Sequence, residues 1–163
     1  MTRVDRKVLE DAVRAHMRAE AEFDMESLRN SLCPDVDYHL LSPFCLDDPD
    51  VFGHMHGPDE YIAMWEQLNA SFVYDIQIEH LSLDPETACA TVFLQVTVVP
   101  KQDWHGIPAG QQMRWWTAAR CVFDPNGLMR EETVYGSFPP ALVGYERMVA
   151  FAQAKQSTTG ATR

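Results

Sequence analysis

The spacing of apolar residues changes once along this chain, and that change limits the folds open to it. From Val4 to about Asp24, Val8, Leu9, Ala12, Val13, His16, Met17 and Ala19 recur every three or four positions, with Glu and Arg opposite them. That is the stripe of an amphipathic helix. Met25–Leu32 fits a second, shorter helix stopped by Pro34, and Asp35–Leu41 alternates as a short strand. Ser42–His56, rich in Pro, Asp and Gly, reads as a loop. Pro58 then suits the first turn of a third helix running to about Asn69, with Tyr61, Met64, Trp65 and Leu68 on one stripe. From Val73 the period becomes two. Val73–Leu83, Ala88–Val99, Gln111–Phe123 and Leu128–Ser137 read as strands, and Asp124-Pro-Asn-Gly makes a hairpin turn. Pro139 and Pro140 open a C-terminal helix to about Gln156, and residues 157–163 read as a frayed tail. Helices gathered early and antiparallel strands gathered late predict an α+β fold, a single domain over 1–156 with helices packed on one face of a bent sheet.

Charge narrows the choice of partner. The 163 residues hold 24 acids against 13 bases, a formal net charge of −11. From Asn30 through Pro100 there are twelve acids and not one Lys or Arg. Such a stretch offers no cationic clamp for phosphate, which disfavours nucleic acid, nucleotides and anionic membranes as partners. A small neutral apolar molecule is the partner this composition suits. No apolar run approaches the ~20 residues of a membrane span. The N-terminus lacks the apolar core of a signal peptide. Cys33, Cys45, Cys89 and Cys121 show no Cys-x-x-Cys spacing, which fits reduced thiols in a cytoplasmic protein.

Three stretches carry a family resemblance. They are Gly57-Pro-Asp-Glu-Tyr-Ile-Ala-Met-Trp-Glu-Gln-Leu, Gly106-Ile-Pro-Ala-Gly-Gln-Gln-Met and Asp124-Pro-Asn-Gly-Leu-Met-Arg-Glu-Glu-Thr-Val-Tyr-Gly-Ser. In order and spacing they resemble the third helix, the Gly-Ile-Pro loop and the closing hairpin of the nuclear-transport-factor-2-like superfamily. Within it, they are similar to the SnoaL-like polyketide cyclase and ketosteroid isomerase group. The resemblance implies a cone-shaped half-barrel around an apolar pocket, and a homodimer formed through the outer sheet face. It also implies an acid/base Asp six residues past the first Glu of the closing strand, and a His six residues before the Gly of the Gly-Ile-Pro loop. Those positions are Ser137 and Pro100 here, so neither carries a titratable group.

Other residues are then the candidates for chemistry. His39, in Asp37-Tyr38-His39, alternates with Tyr38, so one of the two faces the pocket. His105 follows Trp104 in the loop expected at the mouth of the cone, where an imidazole can meet a substrate near its operating pH. Tyr135 shares strand parity with Thr133 and Ser137, so if Ser137 faces inward, Tyr135 offers a phenol to a developing oxyanion. Trp115, Thr117, Ala119, Cys121 and Phe123 form one apolar face of their strand, opposite Arg114, Trp116 and Arg120. Tyr38, Trp65, Trp104, Trp115, Thr117, Thr133 and Ser137 are the candidate substrate contacts, and Phe72, Phe93 and Trp116 are further aromatics that can line a pocket. Asp24, after the first helix, reads as a cap. His54-Met-His56 has the look of a metal pair, but no third ligand stands at useful spacing, so neither metal nor cofactor is expected.

Three functions fit this reading. The first is a cofactor-independent enzyme that moves protons on an apolar oxygenated substrate of polyketide, terpenoid or steroid type, by cyclisation, isomerisation or dehydration. The second is a non-catalytic binding or dimerisation module. The third is a small subunit of the aromatic-ring dioxygenase type, suggested by Glu20-Ala-Glu-Phe-Asp24 and Asp35-Val-Asp-Tyr38, although that subunit's later basic stretch is missing.

Overall fold

The computed structural model describes residues 3–41, 54–104 and 107–136. Helix α1 (Arg6–Glu22) starts where the Asp5 carboxylate accepts the backbone N–H groups of Lys7 and Val8, at 2.8 and 3.3 Å. It ends at Phe23, which takes the left-handed conformation at φ 52°. Its half-buried ring packs edge-on to Trp65 and Tyr74, with centroids 5.9 and 6.1 Å apart, and this burial offsets the backbone strain. Asp24 caps α2 (Met25–Asn30) by accepting the Ser27 N–H at 3.0 Å, the structural role its position suggests.

The strands are β1 (Leu32–Leu41), β2 (His54–His56), β3 (Phe72–Asp84), β4 (Cys89–Pro100), β5 (Met113–Phe123) and β6 (Met129–Gly136), with α3 (Gly57–Ser71) between β2 and β3. They form one curled, open, six-stranded sheet in the order β2-β1-β6-β5-β4-β3. β3 to β6 are an antiparallel meander, β1 joins β6 in parallel, and β2 closes antiparallel on β1. The α+β half-barrel expected from the sequence is what the chain adopts. Most boundaries shift by one or two residues, and two differences are larger. The stretch expected to be loop up to His56 ends in strand β2, because His54 and His56 pair with His39 and Asp37 of β1. β1 starts at Leu32 instead of Asp35. It carries Pro34 through an irregularity between Leu32 and Asp37, where a missing N–H costs no ladder bond.

One face of the sheet is covered by α1 and α3 and forms the core with them. Val92, Leu94, Val96 and Val98 of β4 stand beside Trp115, Thr117, Ala119 and Cys121 of β5, all buried. The buried face expected on β5 is therefore observed, with Trp116 and Arg114 on the opposite, exposed side. Phe93 is also on that outer side, which corrects its reading as a pocket aromatic. Among the described residues no Lys or Arg is buried, and no helix is long and apolar enough to cross a membrane. The expected C-terminal helix lies outside the described residues.

The 124–127 turn brings the closing hairpin against α1. Gly127 sits at φ +83°, and a Cβ built there would lie 3.5 Å from Ala12 Cβ and 3.8 Å from Val8 Cγ1, an ordinary contact. Space is therefore not the obstacle to substitution, and the left-handed backbone is. Gly127→Ala should cost roughly 1–2 kcal/mol in urea unfolding through that backbone alone. A neutral or stabilising result would show that the turn relaxes.

A buried proton network as the candidate functional site

The apolar stripe of α1 contains two residues that are not apolar. His16 and Glu20 are one helical turn apart, so they point the same way, and both are buried (0% and 3% exposed). α3 sends Tyr61 to meet them, also fully buried. β6 contributes Glu132 from the sheet side, beside Tyr38 of β1 and Cys121 of β5. One oxygen is common to the group. The Tyr61 hydroxyl lies 2.5 Å from Glu20 Oε1, 2.8 Å from Glu132 Oε2 and 3.2 Å from His16 Nε2.

Hydrogen counting assigns the protons. Tyr61 has one to give, so it cannot donate to both carboxyl groups. Burial, together with the nearby charge of Glu20, raises the Glu132 carboxyl to about 8, against the lowering influence of His16 and Tyr61. At neutral pH Glu132 thus keeps its proton and donates it to the Tyr61 oxygen, while Tyr61 donates to the Glu20 carboxylate. Ser31 Oγ donates to the Leu28 carbonyl at 2.6 Å, which leaves it to accept His16 Nδ1–H at 2.7 Å. Burial disfavours a charged His16, but chiefly Glu20's charge and hydrogen bond outweigh it and raise the imidazole above its ordinary value. His16 Nε2 stands 3.3 Å from Glu20 Oε1. The group therefore sets a carboxyl raised to about 8, a second carboxyl and an imidazole raised above its ordinary value around a phenol that burial keeps protonated.

The ligand atoms of His16, Glu20 and Glu132 lie within 4.8 Å of one another, a spacing that can hold an ion. The Tyr61 hydroxyl, however, occupies the point between them, which makes this a hydrogen-bonded network and not a metal cradle. Tyr38 stacks edge-on to Tyr61 with centroids 5.2 Å apart, and its phenol is held protonated mainly by burial. One turn along α3, Trp65 is 5% exposed, and its Nε1 is the one buried side-chain N or O among the described residues without a hydrogen-bond partner.

The candidates from the sequence are distributed unevenly around this network. Tyr38, and not His39, faces the interior. Trp65, Trp115 and Thr117 are also inside, with Thr117 Oγ1 donating to the Tyr135 carbonyl at 3.1 Å. Trp104 is half-buried against Phe72, 5.2 Å between centroids. His39 lies on the outer face, stacked on His54 at 4.6 Å. Tyr135 is on that face too and 51% exposed, so the inward placement considered for it is corrected. The cause is a β-bulge. Phe123 pairs Met129 but Val122 pairs Glu131, so Arg130 is an extra residue that reverses the alternation. Met129 and Glu132 face in, and Glu131 and Tyr135 face out; Thr133 shares their outward parity but is covered, 7% exposed, beside Arg120 and His39. His105 and Ser137 lie outside the described residues. Sequence reasoning placed His16 and Tyr61 on helix stripes without a site role and missed Glu20 and Glu132 as site residues, although both glutamates left signals. Glu20 continues the His16 stripe, and two consecutive glutamates on a strand must place one inward.

Comparisons with known proteins agree with the fold. A family model described as a SnoaL-like domain matches residues 13–132. A proposed polyketide cyclase from Xanthomonas campestris pv. campestris superposes with a TM-score of 0.70 at 16% identity, over 85% of this chain and 97% of that one. BvnE pinacolase from Penicillium brevicompactum gives a TM-score of 0.69 at 12% identity, over 92% and 97%. An LEH-like epoxide hydrolase from M. tuberculosis gives 0.64 at 13% identity, over 91% and 97%. At these identities the solved structures speak for the fold alone. No curated protein matches the sequence.

The network makes stability depend on pH. Glu132 and His16 both bind their protons more tightly in the folded chain than in the unfolded one. Glu132's contribution is complete below its ordinary value of 4.5 and is lost as the pH rises through about 8; His16's is lost in the same direction, from above 6.5. Urea midpoints should fall between pH 5 and 8.5, and Glu132→Gln should flatten that fall. An equal fall in the variant would assign the dependence to other groups.

Proposed function

The chain belongs to the SnoaL-like domain family, and we propose that it is a cofactor-independent acid/base enzyme acting on a small, neutral, apolar oxygenated molecule. The observation that supports this most directly is the meeting of two buried carboxyl groups, Glu20 and Glu132, at one phenol inside an apolar shell, where burial raises Glu132 to about 8. A pair of like groups whose surroundings separate their protonation states supplies both partners of proton-transfer catalysis. In this reading Glu20 takes a proton from the substrate, either from carbon next to a carbonyl or from a hydroxyl that attacks within the same molecule. Glu132 delivers one to the oxygen on which charge collects. The substrate gains and loses one proton, and Tyr61, with His16 beside it, returns the proton from Glu20 to Glu132 for the next cycle. The unpartnered Trp65 N–H offers a hydrogen bond to the substrate oxygen. The lack of buried Lys or Arg among the described residues suits an uncharged ligand.

The likeness to a cyclase and an epoxide hydrolase points to two probes, 2-decalone for exchange of carbon-bound hydrogen in D2O and 1-methylcyclohexene oxide for ring opening. Glu20→Gln and Glu132→Gln should each lower kcat/KM on the responsive probe by about 10²–10⁴-fold. The wild-type rate should decline as the pH rises past about 8, where Glu132 gives up its proton. Trp65→Phe should raise KM more than it lowers kcat. Turnover that survives both glutamine variants would refute this assignment of acid and base. Saturable binding of both probes without conversion would favour the second reading, a ligand-binding module. The complete internal hydrogen bonding of the four side chains is the observation in favour of that reading.

The outer sheet face is the proposed homodimer contact. Trp116, Tyr135 and Phe93 are 60%, 51% and 49% exposed there, and Phe93 and Tyr135 flank Ala118 in one cross-strand row. Trp116→Glu should convert a dimer to a monomer by sedimentation, and an unchanged mass would place the contact elsewhere.

A further inference from the structure

Strand pairing brings a second group of ligand-bearing side chains together, on the outer face and away from the buried network. Asp37 and His39 are two residues apart on β1, and His54 and His56 are two apart on β2, so each pair shares a face. The register sets Asp37 opposite His56 and His39 opposite His54. Both β2 imidazoles aim at one atom. His54 Nε2 is 2.9 Å and His56 Nδ1 2.8 Å from Asp37 Oδ1, and all three ligand atoms lie within 4.8 Å of one another. His39 stacks on His54 with planes 11° apart, which fixes the direction of that ring. The His56 backbone N–H is held by Glu60 at 2.8 Å, which anchors that residue where β2 meets α3.

We propose that Asp37, His54 and His56 form a binding site for a borderline divalent transition-metal ion of the zinc type, clipping β2 to β1. The donor set, two imidazoles and one carboxylate, is the kind that such ions select. The geometry needs little change. Ligands about 2.0–2.2 Å from a tetrahedral ion stand about 3.3–3.5 Å apart, so opening the two hydrogen bonds by roughly half an ångström admits it. The remaining positions on the ion are left for water. Acidic groups adjoin the trio: Glu60 holds the His56 N–H, and Glu131, opposite Asp37 in the strand register, is ion-paired with Arg120. The buried trio of His16, Glu20 and Glu132 has similar donors, but there the Tyr61 hydroxyl holds the central position.

The full chain, with any affinity tag removed, should be titrated with Zn²⁺ in competition with a chromophoric chelator. One ion per chain should bind. His54→Ala and His56→Ala should each weaken binding at least tenfold, and Asp37→Asn should weaken it as well. His80→Ala, an exposed histidine elsewhere on the sheet, and Glu132→Gln should leave it unchanged. In the wild type, saturating Zn²⁺ should shift the imidazole ¹⁵N resonances of His54 and His56 ahead of those of His80. No saturable binding, binding indifferent to His54→Ala and His56→Ala, or binding lost in Glu132→Gln would each overturn the proposal. None of these readouts depends on the enzyme activity proposed above.

Discussion

Three elements from distant parts of the chain meet at one phenolic oxygen. α1 brings His16 and Glu20, α3 brings Tyr61, and β6 brings Glu132, so the Tyr61 hydroxyl ties both covering helices to the sheet. Burying two carboxyl groups and an imidazole is costly unless their charges and hydrogen bonds are balanced. The balance here is internal. Glu132 keeps its proton at neutral pH, and Glu20 favours the protonated form of the His16 imidazole beside it. The described residues around the network are mostly apolar, so its members balance one another.

The proposed proton transfer rests on the same arrangement. An acid and a base of the same residue type differ in protonation only when their surroundings differ. Glu20 faces His16 and accepts from Tyr61, whereas Glu132 sits against the sheet beside Tyr38 and Cys121, where burial dominates. The network is thus coupled to the fold through sheet register as much as through side-chain chemistry. A single extra residue on β6, Arg130, decides whether Glu132 or Glu131 faces the core. Glu131 is left outside, in an ion pair with Arg120.

The two faces of the sheet divide the chemistry. The inner face carries the aliphatic core and the proton network, while the outer face carries exposed aromatics and the Asp37–His54–His56 group. That division follows from strand alternation, which sends neighbouring residues such as Tyr38 and His39 to opposite environments. Tyr38 becomes a buried phenol beside the carboxyls, and its neighbour becomes a stacking surface for a second histidine.

By itself the sequence determined the α+β class, the order of the described elements other than β2, the apolar face of β5 and the absence of fixed positive charge from the middle of the chain. These are local properties, set by period, by turn chemistry and by composition. It also carried the SnoaL-like motifs, which sit in turns and helix starts. Only the tertiary structure decided which titratable groups meet. His16 and Glu20 are legible as a helical pair, but Glu132 is assigned to them by a bulge that no period reveals, and Tyr61 by the packing of α3. In the same way, His54 and His56 acquire Asp37 as a third partner only because β2 pairs with β1, seventeen and nineteen positions away along the chain. Contacts of that range depend on register, and register is fixed by how the whole sheet buries its inner face.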